Sequence, residues 1–238
     1  MANEQNFEVI IIGGSYAGLS AAMALGRALK KVLVINGGNP CNKQTPHSHN
    51  FLTQDGKTPK QISELAKAQV ANYDTVSFVD DTAVKGEKKN SGFEITTQSG
   101  TVFRGRKLIF GTGVKDLMPN IEGFAECWGI SAIHCPYCHG YELNQGPLGV
   151  LAVSEASIHQ ALLIPDWGPT TFFTNNCFTP TEIQRQQLAA RQVRLETETV
   201  SEIAGEQSAI VKLANGRLIE LAGLFVASLT KPASPIAQ

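Results

Sequence analysis

The amino-terminal order of an apolar strand, a glycine-rich turn and a helix constrains the fold of this chain most strongly. Residues 7–12 (FEVIII) form a continuous apolar run, which is typical of a parallel strand covered on both faces. The turn Gly13-Gly14-Ser15-Tyr16-Ala17-Gly18 follows, with a helical pattern at 19–29 and a second apolar strand at 32–35. This unit predicts an α/β protein with a doubly wound, three-layer domain.

The glycine turn itself predicts a site for a dinucleotide. Gly13 and Gly18 hold the first and third positions of the GxGxxG pattern, and Ser15 replaces the second glycine. Such a turn brings backbone N–H groups at a helix N-terminus close to a pyrophosphate. The candidate loop residues are Gly13, Gly14, Ser15, Ala17 and Gly18. A turn without a ligand is the alternative, but the position between a strand and a helix favours the ligand.

Asn36 stands at the end of the second strand, where an acidic residue normally binds the adenosine ribose. Its amide keeps the capacity to hydrogen-bond but carries no charge. Asn36 is therefore added to the candidate cofactor-binding residues.

The remaining pattern predicts a second α/β module. In the first module, Thr58 and Gln61 form a capping box that opens a helix to Ala71. Short strands are predicted there at 76–84, 92–97, 101–104 and 107–110. The second module has predicted strands at 148–153, 170–173 and 193–196, helices at 155–164 and 182–190 (the latter opened by a box over 179–182), and a meander at 209–213, 217–221 and 224–227. We therefore divide the chain into domains at 1–116 and 117–231 and a tail at 232–238.

Two cysteines, Cys135 and Cys138, are separated by Pro136-Tyr137 and followed by His139. Thiols at this spacing can close into a small disulfide ring, which stores two electrons. A helix starting at Pro136 would place Cys135 at its N-cap, where the dipole lowers a thiol pKa. His139 could carry the accompanying proton. Two inert buried cysteines are the alternative, but the dinucleotide loop favours redox chemistry, with catalytic roles for Cys135, Cys138 and His139.

Charge and composition exclude several other classes of function. The net charge is −1, which gives no reason to expect nucleic acid or an anionic membrane as a partner. No apolar run is long enough to cross a bilayer, and residues 1–6 do not resemble a signal peptide, so we expect a cytoplasmic protein. A single CxxC among five cysteines predicts no metal site.

Together these features resemble the thioredoxin reductase family of FAD-dependent pyridine nucleotide-disulfide oxidoreductases. The resemblance is carried by residues 13–22, 49–56, 111–113, 135–142 and 224–227. It implies two tandem Rossmann-like domains, with FAD bound by 1–116 and an NAD(P)H-type domain at 117–231 that carries the cysteine pair. It also implies a homodimer and a substrate that is a thioredoxin-like protein or a small dithiol or disulfide.

The resemblance extends the set of candidate cofactor residues. It implies adenosine contacts near Asn36, Val84, Thr112 and Gly113, and places Asn50 close to the isoalloxazine ring. His139 takes the position of an acid in the family, a substitution that resembles the flavin-dependent dithiol oxidases. His47 and His49 are either flavin-pocket residues or ordinary loop histidines.

Two departures from the family pattern leave the function open. Residues 152–157 (AVSEAS) lack both glycines expected for NADPH, Glu155 adds a negative charge, and 174–177 (TNNC) supply no cation. These departures argue against NADPH binding in the usual mode, and NADPH stays an open second cofactor beside FAD. The chain also stops before the segment that normally returns to the FAD domain. The leading function is a reductase of thioredoxin reductase type. The alternatives are an oxygen-dependent dithiol oxidase without NADPH and a truncated, non-catalytic flavin-binding or redox-sensing module.

Overall fold

The computed structural model describes residues 6–237, which form two units. The first comprises 6–43, 58–115 and 230–237, and the second comprises Gln44–Lys57 and Asp116–Leu229. The contiguous domains expected from the sequence differ from these units mainly at Gln44–Lys57. This segment makes polar contacts within the second unit, including that between His49 and Glu142. It contains no apolar pattern from which the sequence could have assigned it to that unit.

The first unit is built on a six-stranded sheet with helices packed against it. Its elements are β1 (Asn6–Ile12), α1 (Tyr16–Arg27), β2 (Val32–Ile35), α2 (Pro59–Val70), β3 (Val76–Val79), β4 (Ala83–Lys89), β5 (Gly92–Thr97) and β6 (Val102–Phe110). The strand order is β3-β2-β1-β6-β5-β4, and β3, β2, β1 and β6 run parallel. Alternate residues of β1 enter two buried clusters, Ile10 and Ile12 in one and Val9 and Ile11 in the other. The strand is thus covered on both faces, as its apolar run predicts.

Two strand predictions in this unit were wrong in their bounds. The strand expected over 76–84 is interrupted after Val79, because the Asp81 carboxylate accepts backbone N–H groups from Thr82 and Ser99. The side chains of Thr97 and Ser99 also hydrogen-bond to Asp81 and lower its pKa to about 2. The strands expected at 101–104 and 107–110 are one strand, β6, which pairs with β5 in its first half and with β1 from Arg104 onward.

Strand β7 (Val114–Leu117) contains residues of both units. The elements of the second unit are α3 (Phe124–Cys127), β8 (Ala132–Ile133), α4 (Pro136–His139), β9 (Leu148–Leu151), α5 (Ser157–Leu163), β10 (Thr170–Phe173), α6 (Glu182–Ala190), β11 (Arg194–Glu196), β12 (Val200–Ala204), β13 (Ala209–Leu213), β14 (Leu218–Leu221) and β15 (Gly223–Val226). Strand β16 (Leu229–Pro232) begins in the second unit and continues into the first. The second unit holds a five-stranded, fully parallel sheet in the order β11-β10-β9-β15-β8. β12, β13 and β14 form an antiparallel sheet, and β7 pairs with β16.

The predicted meander was wrong in its third strand. The segment expected to close it, 224–227, is β15, which lies between β9 and β8 in the parallel sheet. The antiparallel partner on the other side is β12, which the sequence pattern did not predict. β15 is buried throughout, so its run of apolar residues belongs to a central parallel strand and not to a half-exposed antiparallel one.

Two helices begin at capping boxes. The prediction for α2 is confirmed: the Thr58 hydroxyl accepts from Gln61 N–H, and the Gln61 side chain accepts from Thr58 N–H. For α6 the cap is Thr181 with Gln184, and the box expected over 179–182 was wrong. The two overlapping patterns are equivalent in sequence, and the extended backbone of Thr181 selects the second. Across residues 6–237, every helix is too short or too polar to span a membrane.

Candidate functional site

The glycine turn forms a tightly closed cradle at the carboxyl ends of the parallel strands of the first unit. Gly13 donates to the Ile35 carbonyl, and Gly111 donates to the Ile12 carbonyl, so three strand ends are tied together. Gly13 has a φ of +112°, and a Cβ there would lie 2.3 Å from the Gly111 oxygen. A Cβ on Gly18 would lie 1.8 Å from the Gly13 oxygen. Only glycine fits these positions, because the backbones of turn, helix and strand touch.

The N-terminus of α1 has no side-chain cap at its N-cap residue. Ser15 is the N-cap residue, yet its side chain makes no capping hydrogen bond, and the first turn contains no acidic residue. A helix of 12 residues with a basic residue, Arg27, in its last turn carries an uncompensated positive N-terminal end. This end is suited to an anion such as a pyrophosphate.

The structure gathers most predicted cofactor residues around this cradle. Asn36 follows β2 and contacts Gly14, where an added Cβ would lie 2.6 Å from the Asn36 Cβ. Thr112 and Gly113 follow β6, next to Gly111 of the cradle. In the sheet, β1 lies between β2 and β6, and the chain connections to these two strands run in opposite directions along the sheet. Open α/β sheets bind ligands in the crevice that forms at such a point.

Val84 and Asn50 are placed differently. Val84 lies on β4 at the far side of the same sheet and is 44% exposed. Asn50 belongs to the second unit, with a left-handed φ of +58°, and its N–H donates to the Asp55 carboxylate at 2.8 Å. Asn50 therefore shares a unit with the cysteine pair and not with the glycine cradle.

Cys135 and Cys138 bring their sulfur atoms together on a single helical turn. Cys135 is the N-cap of α4, as the sequence predicts, and the two Sγ atoms are 2.6 Å apart. Both side chains are half-buried. Burial, followed by the neighbouring Cys135 thiol, raises the pKa of Cys138 to about 12. The Cys138 sulfur therefore strongly prefers to hold a proton when the pair is reduced.

Two side chains that the sequence reasoning missed hold this turn in place. Trp167 packs edge-on against Tyr137, with ring centroids 5.1 Å apart, and a Cβ on Gly140 would lie 2.4 Å from the Trp167 ring. Gln160 of α5 is buried and donates to the His134 carbonyl at 2.9 Å. An aromatic residue and a buried amide carry no spacing signal, so only the fold reveals them.

His139 follows the pair and is partly buried among other titratable groups. Burial is the main influence and lowers its pKa, the charge of Glu142 opposes this, and His49 and His134 reinforce it. The imidazole is therefore largely neutral near neutral pH and can accept a proton. His49 lies beside Glu142, while the His47 ring hydrogen-bonds with the Gly56 carbonyl inside its own segment.

The second module closes its nucleotide loop on itself. The Ser157 hydroxyl accepts from Val153 N–H at 3.1 Å, which occupies a donor that a phosphate would need. Glu155 accepts from Gln184 at 3.2 Å, so its negative charge is fixed beside the start of α5. Both contacts disfavour a phosphate at this loop.

A cavity of about 220 Å³ lies beyond the carboxyl ends of β10 and β11. Its polar lining includes Thr174, Asn176, Thr179, Arg185 and Thr197. Arg185 comes from α6 and donates to the Pro180 carbonyl at 3.0 Å. The fold therefore brings the Arg185 guanidinium close to residues 174–177. The sequence of that segment alone gave no indication of a cation there.

Comparison with known proteins places this architecture in a family. A family model for pyridine nucleotide-disulphide oxidoreductases matches residues 7–159, and the chain belongs to that family. Thioredoxin reductase tcpT of Claviceps purpurea is 38% identical over 168 residues, covering 69% of this chain and 52% of that protein. Thioredoxin reductase aclD of Aspergillus oryzae is 41% identical over 151 residues, covering 62% and 48%. An oxidoreductase from Agrobacterium tumefaciens of known structure is 46% identical, with a TM-score of 0.93 over 98% of this chain and 78% of that one.

These similarities confirm the resemblance to thioredoxin reductases and the tandem Rossmann-like fold. Membership of the family also implies a bound FAD. The chain spans about half the length of the curated relatives it matches.

Proposed function

We propose that this chain is a flavin-dependent thiol–disulfide oxidoreductase that passes two electrons between FAD and the Cys135/Cys138 pair. The observation that carries the proposal is the 2.6 Å approach of the two sulfur atoms on one helical turn. A pair at this separation converts between dithiol and disulfide with little movement of the backbone. In a family of flavoproteins, such a pair is suited to exchange electrons with the cofactor.

The residues of the first unit fit FAD. The cradle of Gly13, Gly14 and Gly18 has no room for side chains, and the positive end of α1 would hold the pyrophosphate. Asn36, Thr112 and Gly113 would contact the adenosine, and Ser15 and Ala17 complete the loop. We assign Val84 to the adenosine and Asn50 to the flavin from the family resemblance alone. When bound, FAD would supply a two-electron acceptor and donor.

The cysteines divide the thiol chemistry between them. A substrate thiolate attacks Cys135 Sγ of the oxidised pair, the Cys135–Cys138 bond breaks, and Cys138 leaves with the electron pair and takes up a proton. The second substrate thiol then attacks the mixed disulfide, which releases the substrate disulfide and the Cys135 thiol. The raised pKa of Cys138 favours its protonation, and a neutral His139 accepts the proton of an incoming thiol. Reduction of a substrate disulfide is the same sequence in reverse.

The direction of net transfer defines two candidate functions. A reductase needs NADPH, whereas a dithiol oxidase returns the electrons to oxygen. The closed loop at Val153–Ser157 and the fixed charge of Glu155 favour the oxidase. The names of the fungal relatives favour a reductase that acts on a thioredoxin-like protein. A small dithiol or disulfide is the alternative substrate, and a homodimer is the assembly that the family resemblance suggests.

Anaerobic spectroscopy of the FAD-reconstituted chain tests the proposal. We expect a dithiol such as dithiothreitol to bleach the flavin absorbance near neutral pH, and the C138S variant to lose this response. Air should restore the colour in an oxidase, and NADPH alone should bleach the flavin in a reductase. A chain that stays colourless after FAD is added, or a flavin that no dithiol bleaches, would contradict the proposal and favour a non-catalytic module.

A further inference from the structure

His49 lies between two carboxylates that come from different parts of the second unit. Its Nδ1 is 3.5 Å from the Asp55 Oδ2, and its Nε2 is 3.6 Å from the Glu142 Oε1. Asp55 belongs to the same loop, where its other oxygen accepts the Asn50 N–H. Glu142 follows the cysteine turn, three residues after His139. One imidazole therefore connects the 44–57 loop to the segment that carries the redox pair.

The chemistry of an imidazole makes this position consequential. A neutral ring has one N–H donor, so it can satisfy only one of two carboxylates, while the protonated ring donates to both. A His49 ring that carries a proton on Nε2 presents a donor to the Glu142 carboxylate and so engages part of its charge. Glu142 is also the negative group that stabilises the protonated form of His139. The two histidines thus compete for one carboxylate.

We propose that His49 is a positioning residue that shares the Glu142 carboxylate with His139 and thereby controls how readily His139 takes up a proton beside the cysteine pair. The groups that face His49 are Asp55 and His47 from its own loop and Glu142 and His139 from the cysteine-bearing segment. The charge of His134 also disfavours the protonated form of His139 and so lowers its pKa. The relevance of this control to catalysis rests on the proposed function, but the control itself is a property of the chain.

Histidine titration in the 238-residue chain tests the proposal without turnover. Five histidines are present, so heteronuclear NMR of histidine-labelled protein can follow each ring, and H159Q serves as a control at an exposed site outside the cluster. We expect the titration midpoint of His139 to move to higher pH in H49Q, which frees Glu142 and removes a repulsive ring. We expect it to move to lower pH in E142Q and to stay unchanged in H159Q.

A double variant separates sharing from simple repulsion. If His49 acts through Glu142, adding H49Q to E142Q should raise the His139 midpoint less than H49Q does in the wild type. Equal shifts in the two backgrounds, or no shift in either single variant, would overturn the proposal. The side chains of His49 and Glu142 are 26% and 44% exposed, so we expect both variants to fold, and unchanged tryptophan fluorescence verifies this.

Flavin reduction by a dithiol provides the functional readout. In the pH profile of the reduction rate, the acid limb should follow the titration midpoint of His139. It should move to higher pH in H49Q and to lower pH in E142Q. If the wild-type flavin is never reduced, the proposed function fails while the histidine titration still decides this inference. If the flavin is reduced but the acid limb of the pH–rate profile is the same in both variants as in the wild type, the inference fails while the proposed function stands.

Discussion

At the scale of single residues, the structure shows a large perturbation at Cys138, whereas the sequence directed attention to Cys135. The sequence argument emphasised the helix dipole at Cys135, but α4 has only four residues and so a weak dipole. The large effect is at Cys138, where burial and the adjacent Cys135 raise the pKa from 9.0 to about 12.

This asymmetry predicts selective alkylation of the reduced chain. Since only the thiolate reacts and burial raises the pKa of the Cys138 thiol, iodoacetamide at pH 8 should label Cys138 at least about tenfold more slowly in the folded chain than in urea. Mass spectrometry of the labelled peptides measures both rates. C135A should accelerate the reaction, because it removes the neighbouring thiol but leaves the burial.

Exposed Cys41 is the internal control and should react at similar rates in the folded chain and in urea. Equal folded and unfolded rates at Cys138 would contradict the assignment of its raised pKa.

At the scale of elements, the glycine cradle depends on contacts between a strand, a turn and a helix. Gly13 and Gly100 both have positive φ, but only Gly13 has neighbouring atoms where a Cβ would lie. The two positions therefore separate the cost of an unusual φ from the cost of a backbone clash.

We expect G100A to lower the free energy of unfolding by about 1 kcal/mol, from the positive φ alone. G13A should lower it by about 1–3 kcal/mol more, because its Cβ meets the Gly111 carbonyl, and it should also abolish FAD binding. Urea unfolding and flavin fluorescence measure these two effects. Equal destabilisation in the two variants would show that the strand ends at the cradle can separate.

The start of α6 offers a second test at this scale. T181A should cost about 1 kcal/mol of stability, because it removes the acceptor for the Gln184 N–H. T179A is the matched control at the rejected cap position and should change stability by no more than about 0.5 kcal/mol. Urea unfolding of both variants distinguishes the two overlapping capping patterns, and a larger loss in T179A would reverse the assignment.

At the scale of the whole molecule, the two units have separate buried clusters. The glycine cradle lies in the first unit, whereas both tryptophans, Trp128 and Trp167, lie in the second. Tryptophan fluorescence therefore reports on a unit that does not contain the cradle.

We expect FAD at a hundredfold excess over its Kd to stabilise the first unit by about 2.7 kcal/mol, since it binds only the folded form. In thermal unfolding, the circular dichroism transition should then gain a component that moves upward with FAD, while the tryptophan transition moves less. G13A, which cannot bind the cofactor, should show no displacement of either. Identical displacement of both signals in the wild type would mean that the units unfold as one.

How much the sequence could predict differs between strands and site. The buried runs of β1, β2 and β9 were predicted because continuous apolar sequences fit only central parallel strands. The end of β3 and the sheet of β15 were missed, since a side-chain cap at Asp81 and the choice of a strand's partner are not encoded in periodicity. Likewise, Gln160 and Trp167 contact the cysteine turn from distant positions in the chain and leave no local pattern.

The sequence by itself determined the family, the dinucleotide cradle and the cysteine pair, because each depends on residue types at short fixed spacings. Only the tertiary structure decided that the 44–57 loop joins the second unit, that His49 lies beside Glu142, and that burial raises the pKa of Cys138. Burial and charge at these groups come from neighbours far along the chain, so they exist only once the chain has folded.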